Sequence, residues 1–154
     1  MADSAPSFVH LHNHTTYSLL DGAQRIDEMC ARAAADGQPA IAVTDHGNLF
    51  GVQDFGKKAA AHGVKPIIGI EAYIAPESRF KTEASGMTEA AVHLTRRARN
   101  RTGFKNLLKL ASAAFLEGFY FRPRIDKQRL EDHHEGLTCL SGCASGEIPR
   151  LLLA

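Results

Sequence analysis

Three short apolar runs separated by two stretches of helical periodicity constrain this chain more than any other feature. The runs are SFVHLH at residues 7–12, AIAVT at 40–44 and IIGIEAYIA at 67–75. Between the first two, Ile26, Met29, Cys30 and Ala33 recur at i, i+3, i+4 and i+7, which marks one face of a helix, and Gly37 supplies the stop. Between the second and third, Val52, Phe55 and Ala59 keep helical spacing and Gly63 serves as the cap. Pro39 and Pro66 open the later runs, and AIAVT is apolar enough to be buried on both faces. Strand–helix–strand–helix–strand with short links predicts parallel βα units and an α/β fold.

The regularity then weakens. Residues 76–87 are polar and read as a loop, and AAVHLTRRA at 90–98 predicts a fourth strand. Residues 102–117 form a helical pattern with Phe104, Leu107, Leu108, Ala111 and Phe115 on one side and Gly118 after it. IDKQRLEDH suggests a short helix, GLTCLSG a fifth strand running into a turn, and residues 147–154 the first turns of another helix. A chain that closes on Leu-Leu-Leu-Ala with no cap reads as a piece of a longer polypeptide.

With 154 residues, the chain has the length of about one domain. Its 44% hydrophobic and 23% charged content excludes a disordered tail, a coiled coil and a collagen-like repeat. No apolar run approaches the ~20 residues of a membrane span, and MADSAPSF lacks the segments of an export signal. Three cysteines are too few for a disulfide scaffold, so the expected setting is reduced and cytoplasmic, with no membrane partner. The net charge of +1 hides a split: residues 1–78 carry 5 basic and 9 acidic side chains, residues 79–109 carry 8 and 2.

In a parallel βα fold, functional groups gather where strands end and loops converge. Strand one ends in His10-Leu11-His12-Asn13-His14 with Asp21 beyond it, and strand two in Thr44-Asp45-His46. Glu71 lies near the end of strand three, His93 on strand four, and Cys143 after strand five. Imidazole, carboxylate and thiol are the donors that bind Zn, Mn or Fe. Residues i and i+2 of an extended segment face one side, so His12 and His14 could grip one ion. A lone H-x-H, His or Glu is more often a satisfied polar group; their convergence on one rim is what points to metal. Cys139 and Cys30 read as core residues, Cys143 as a ligand or a buried thiol, and His10 as a residue that orients a ligand. His62, His133 and His134 read as solvated. Arg96, Arg97, Arg99 and Arg101, with Lys105 and Lys109, form either a solvated face or a contact line for phosphates, from nucleic acid or a phosphorylated substrate.

FVHLHNHTTYSLLDGA, AIAVTDHGNLFG, PIIGIEAYIAP, NLLKLASAAFLEGFYFRPRID and GLTCLSGCASGEIP, in this order, closely resemble the PHP (polymerase and histidinol phosphatase) domains of bacterial replicative DNA polymerases. SRF after the third strand and LEGFYFRPRID fit the polymerase branch of that family rather than the free-standing phosphatases. The resemblance implies the N-terminal part of a distorted (β/α)7 barrel whose strand ends hold up to three divalent metal ions, Zn, Mn or Fe. It assigns His12, His14, Asp21, His46, Glu71, His93 and Cys143 as ligands, and leaves an Asp-x-His pair of the family beyond the last βα unit present. On the same basis residues 1–154 are an incomplete PHP domain of a DNA-directed DNA polymerase acting in replication. Palm, fingers and thumb stand outside it, and the fragment alone is expected to be inactive. The implied activity is a metal-dependent 3′–5′ exonuclease that hydrolyses phosphodiesters with no protein nucleophile. The implied partners are primer-template DNA and, through the whole subunit, the sliding clamp and clamp loader. Two alternatives stand beside it: a non-catalytic scaffold that docks a separate proofreading subunit, and a stand-alone phosphatase of the histidinol-phosphate type.

Overall fold

The structure, a computed structural model of the chain, describes residues 8–19, 21–83, 86, 91–142 and 146–153. Its frame is a mixed sheet of β1 (Ala40–Val43), β2 (Lys65–Ile74), β3 (Val92–Ala98), β4 (Arg124–Ile125) and β5 (Leu137–Cys139). The helices are α1 (Ile26–Ala35), α2 (Val52–Ala61), α3 (Arg101–Leu116), α4 (Lys127–Asp132) and α5 (Glu147–Leu153), with a 3-10 turn at Thr16–Ser18. The strand order is β1-β2-β3-β5, and β4 lies alongside β2.

β1 and β2 run parallel, with α2 as the crossover between them, as the spacing predicts. β2 and β3 run antiparallel, and so do β3 and β5. The reason lies in the connection: residues 75–91 carry no helical periodicity, and only a helix-like crossover can return a chain to a parallel register. His93 therefore stands at the start of its strand rather than at the end, yet at the same rim, because β3 begins where β2 finishes. The predicted first strand is a second difference. Residues 8–14 run beside β1 and accept from it at two points, Ala42 N–H to the His10 carbonyl (2.9 Å) and Thr44 N–H to the Asn13 carbonyl (2.9 Å), without forming a ladder.

Burial follows the periodicity on one face of the sheet. Ile26, Met29, Cys30 and Ala33 of α1 meet Phe55 and Ala59 of α2 over Ile41 and Val43. Ile70, Ala72 and Ile74 of β2 meet Leu107, Leu110 and Ala114 of α3, with Ile125 closing that cluster. All three helices thus cover the side to which the even-numbered residues of β2 point. The odd-numbered residues Gly69, Glu71 and Tyr73, and opposite them Arg97, Thr95 and His93, point to the other side. Cys30 is core as expected, whereas Cys139 is exposed, because β5 ends the sheet path and its side chain there has no cover.

α3 is turned partly away from its predicted face. Of the predicted stripe Leu107 is buried and Ala111 packs against the core, but Phe115 and Leu108 are exposed, and Gly103, Asn106, Leu110, Ala113 and Ala114 are buried beside Leu107. Both stripes have helical spacing, so periodicity alone does not choose between them. The choice is made by close backbone approach: a Cβ on Gly103 would lie 1.9 Å from the Gly136 carbonyl oxygen. Asn100 caps the helix by accepting from Gly103 N–H (2.9 Å), and Asn106 Nδ2 donates to the Glu135 carbonyl (2.9 Å). Helix propensity favours alanine over glycine by up to about 1 kcal/mol, but the contact is with backbone and cannot yield cheaply. Gly103→Ala is expected to destabilise the chain by about 2 kcal/mol or more, read as a lower urea midpoint at unchanged slope; a midpoint at or above wild type would refute the close approach.

Candidate metal centre

Glu71 is the centre of the site, and backbone hydrogen bonds put it there. Its N–H donates to the Asp45 carbonyl (3.0 Å) and its own carbonyl accepts from Gly47 N–H (2.9 Å), which locks the TDHG turn onto β2. Gly47 adopts φ 65°, and a Cβ there would meet Pro123 Cγ at 2.7 Å, so glycine is required on both counts. The turn places His46 beside Glu71, and the antiparallel register places His93 diagonally across from it. Residues 12–14 reach the same point from the third side.

Four imidazoles surround this one carboxylate, which is 3% exposed. Glu71 Oε2 lies 3.1 Å from His12 Nε2, 3.0 Å from His14 Nε2 and 3.4 Å from His46 Nδ1, and Oε1 lies 3.0 Å from His93 Nδ1. The His14 and His46 rings stack at 4.2 Å, and His12 meets His14 edge-on at 5.0 Å. Among the described residues, two groups could each hold a cation: His12, His14 and Glu71, and His46, Glu71 and His93. Their donor atoms lie within 4.8 Å of one another in each group.

The electrostatics match that composition. Burial works to raise the Glu71 pKa, but hydrogen bonds from His12, His14 and His93 and the charge of His46 outweigh it and hold the carboxyl far below its usual range. The hydrogen bond to Glu71 raises His14, against burial, whereas burial lowers His46. The two shifts run in opposite directions: His14, which donates to Glu71, favours its charge, and His46, the deeper of the stacked pair, resists one.

Two further acids decide which nitrogen of each ring faces Glu71. Asp21, exposed, accepts from His46 Nε2 at 2.8 Å, which leaves Nδ1 as the bare nitrogen on the Glu71 side. That Nδ1 is buried without a hydrogen-bond partner. A lone pair facing a carboxylate oxygen at 3.4 Å is poorly satisfied without a cation, so the donor set fits a divalent metal. Asp45 acts on the other ring. It is 2% exposed and accepts from Thr15 N–H (2.6 Å), Thr15 Oγ1 (2.8 Å) and Ser18 Oγ (2.9 Å). With its proton committed to Asp45, Ser18 Oγ can only accept from His14 Nδ1 at 3.3 Å, so Nδ1 keeps its proton and Nε2, which donates to Glu71 while the ring is charged, is the nitrogen an ion can take.

Of the ligand set named from the sequence, His12, His14, His46, Glu71 and His93 meet at one rim. Asp21 joins them through His46, and Cys143 lies outside the described residues. His10 is exposed, with its ring against Phe8 at 4.7 Å and away from the carboxylate. His62 pairs with Asp27 at 3.1 Å. Sequence reasoning missed Asp45 and Ser18 as supports, and Tyr73, whose ring lies 5.0 Å from His93 and 5.9 Å from His46. The arginines do not share one face. Arg96 points to the α3 side, where it lines a small cavity with Ile70, Leu110 and Ala114; Arg97 points to the side of Glu71; Arg99 and Arg101 are exposed.

A mixed sheet with helices on one face and a histidine–carboxylate cluster at the rim of the other defines an α/β protein with a candidate metal centre. The PHP domain profile matches residues 10–154, and the chain belongs to the PHP domain family. Among curated proteins, it is 53% identical over 147 residues to DNA polymerase III subunit alpha of Borreliella burgdorferi, covering 96% of this chain and 13% of that one. It is 52% identical over 149 residues to DNA polymerase III subunit alpha of Thermus aquaticus, covering 95% and 12%. The chain thus spans about an eighth of the length of these relatives. Among solved structures, a protein described as a metal-dependent phosphoesterase from Bifidobacterium adolescentis shares the fold, with a TM-score of 0.50 at 15% identity over 71% of this chain and 34% of that one. No helix among the described residues is long and apolar enough to cross a membrane.

Proposed function

We propose that this chain is the PHP portion of a cytoplasmic bacterial replicative polymerase of the DNA polymerase III alpha type, and that its cluster is a metal-dependent 3′–5′ exonuclease site. The observation that carries this reading is the single buried carboxylate within 3.4 Å of four imidazoles. His12, His14 and Glu71 would hold one divalent ion, and His46, His93 and Glu71 a second. Asp21 and Cys143 complete the ligand set implied by the resemblance. Bound Zn, Mn or Fe supplies the Lewis acidity that phosphodiester hydrolysis needs near neutral pH. The chain's own residues do the rest. Asp21 and, through Ser18, Asp45 keep Nδ1 of His46 and Nε2 of His14 turned inward. Tyr73 packs against both His46 and His93 and limits where their rings can turn. DNA as primer-template, and the sliding clamp and clamp loader, are partners of the whole polypeptide in this reading.

The test is metal analysis of the whole polypeptide, of which this chain is the PHP portion, purified without chelator, together with trimming of a mismatched 3′ end. Bound Zn, Mn or Fe and trimming that stops on chelation and returns on adding metal are expected. A metal-free protein that does not trim would overturn the nuclease assignment and favour a docking scaffold; trimming indifferent to chelator would overturn the metal-dependent site. Turnover of a phosphomonoester without action on DNA would favour a phosphatase.

A further inference from the structure

The segment between α3 and β4 reads GFYFRPR, and its two arginines have different surroundings. Arg124 is buried: its Nε donates to the Gly118 carbonyl (3.0 Å), and Nη2 donates to the Arg79 and Lys81 carbonyls (2.9 Å each). It ties the segment down. Arg122 is half-buried and turns to the rim, where Nη1 donates to Tyr73 Oη at 3.2 Å with the guanidinium carbon 5.4 Å from the ring centroid. Among the described residues it forms no ion pair, although Arg79 and Arg129 nearby each do. A guanidinium has five donors in a planar fork, and Tyr73 engages one of them.

The backbone around Arg122 is held under strain. Phe121 has φ 58°, the left-handed region that a bulky residue seldom adopts, and Tyr120 N–H donates to the Arg122 carbonyl at 3.1 Å. Such strain persists only where the surroundings impose it. Here they do: Pro123 presses against Gly47, next to His46, and the Arg124 anchor fixes the other side. Tyr73, which receives the fork, is 5% exposed and touches His46 and His93. The cation therefore stands one tyrosine ring away from the candidate ions, on a segment built to keep it there.

From this geometry we infer that Arg122, oriented by Tyr73, is a phosphate clasp that takes a phosphate of a nucleotide strand bound at the metal centre. The inference rests on the proposed function for the substrate, but its position, charge and free donors are independent of any metal. Phosphate oxygens suit the guanidinium fork, and a cation with no carboxylate partner of its own, beside a rim rich in imidazoles, is free to meet an anion. The Tyr73 hydroxyl accepts from Arg122 and still has its own O–H to donate to the same phosphate. Arg96, Arg97, Arg99 and Arg101 offer no comparable grouping.

The experiment measures binding of a fluorescein-labelled oligothymidylate by anisotropy, with Mn²⁺ and in metal-free buffer, to wild type, Arg122→Ala, Arg122→Lys, Tyr73→Phe and the remote control Arg32→Ala. Manganese binding is measured separately by calorimetry. Arg122→Ala is expected to weaken the oligonucleotide roughly tenfold and to flatten the salt dependence by about 0.7 in log–log slope, one phosphate's share. Manganese affinity should not change. Arg122→Lys should fall between, since it keeps the charge and loses the fork; Tyr73→Phe should do the same, and Arg32→Ala should match wild type. Equal oligonucleotide affinity for wild type and Arg122→Ala in both buffers overturns the clasp, as does absence of binding by wild type in both. Loss of the manganese signal in wild type would sink the metal centre alone, because the metal-free arm still reads the arginine.

Discussion

Asp45→Ala is expected to cost about 3 kcal/mol or more of stability and to weaken metal binding by roughly 10–100-fold, although Asp45 belongs to neither candidate ion group. Its carboxylate accepts three hydrogen bonds, from Thr15 N–H, Thr15 Oγ1 and Ser18 Oγ, at 2.6, 2.8 and 2.9 Å. Thr15 is fully buried and Ser18 nearly so, and truncation leaves their donors without water or partner. A buried donor left unpaired costs ~1–3 kcal/mol, so the sum exceeds the effect of most single substitutions. The metal effect has a separate cause. Ser18, freed from Asp45, can give its proton to His14 Nδ1, and the ring then turns a protonated Nε2 toward Glu71, where an ion needs a lone pair. Ser18 Oγ also accepts from His46 N–H at 3.1 Å, so both stacked rings lose the same support. Urea unfolding in chelator reads the first effect and calorimetry with Mn²⁺ the second. Asp45→Asn separates them: it keeps the volume, and metal affinity near wild type in that variant would show that Asp45 only fills space.

What the sequence made legible, and what it did not, divides along local and distant causes. α1, α2, β1 and β2 follow from spacing because each buries residues that are neighbours on one face, such as Met29 with Ala33 and Phe55 with Ala59. The rotation of α3 was hidden because its partner is a backbone carbonyl at Gly136, more than thirty residues along the chain. The direction of β3 was hidden because alternation has no sign: a strand reads the same either way, and only its connection reveals it. Cys139 was read as core because alternation gives the face of a residue and not whether anything covers that face.

The same division holds in the site. Donor chemistry at the ends of predicted elements pointed to His12, His14, His46, Glu71 and His93, and all five converge. The supports did not announce themselves. Asp45 stands among the candidate groups at the end of strand two, but its supporting role rests on Thr15 and Ser18, 30 and 27 positions away. Arg122 lies in a segment to which the pattern assigned no element, and nothing local distinguishes it from Arg124, which has the opposite role.

Glu71→Gln is expected to reduce metal affinity by at least 100-fold, the largest effect of any single substitution at the rim. Both candidate ion groups use this one carboxylate, so the loss falls on two ions together. Glutamine keeps the shape and one acceptor but removes the charge that balances the cations. The metal-free protein gives a second reading through pH. The Glu71 pKa is depressed in the folded state, so its stabilisation is present above the unfolded value of about 4.3 and is lost as pH falls toward the folded one. The His14 pKa is raised, so its share is complete below about 6.5 and fades as pH rises through the folded value. Wild type should therefore exceed Glu71→Gln in stability most clearly between about pH 4.5 and 6.5, with the gap narrowing as imidazoles lose their protons. Chemical denaturation in chelator across that range measures the gap, and calorimetry with Mn²⁺ near neutral pH measures the affinity. A variant that binds manganese like wild type would show that the ions sit elsewhere; a stability gap independent of pH would show that the carboxylate and His14 do not interact as their 3.0 Å separation requires.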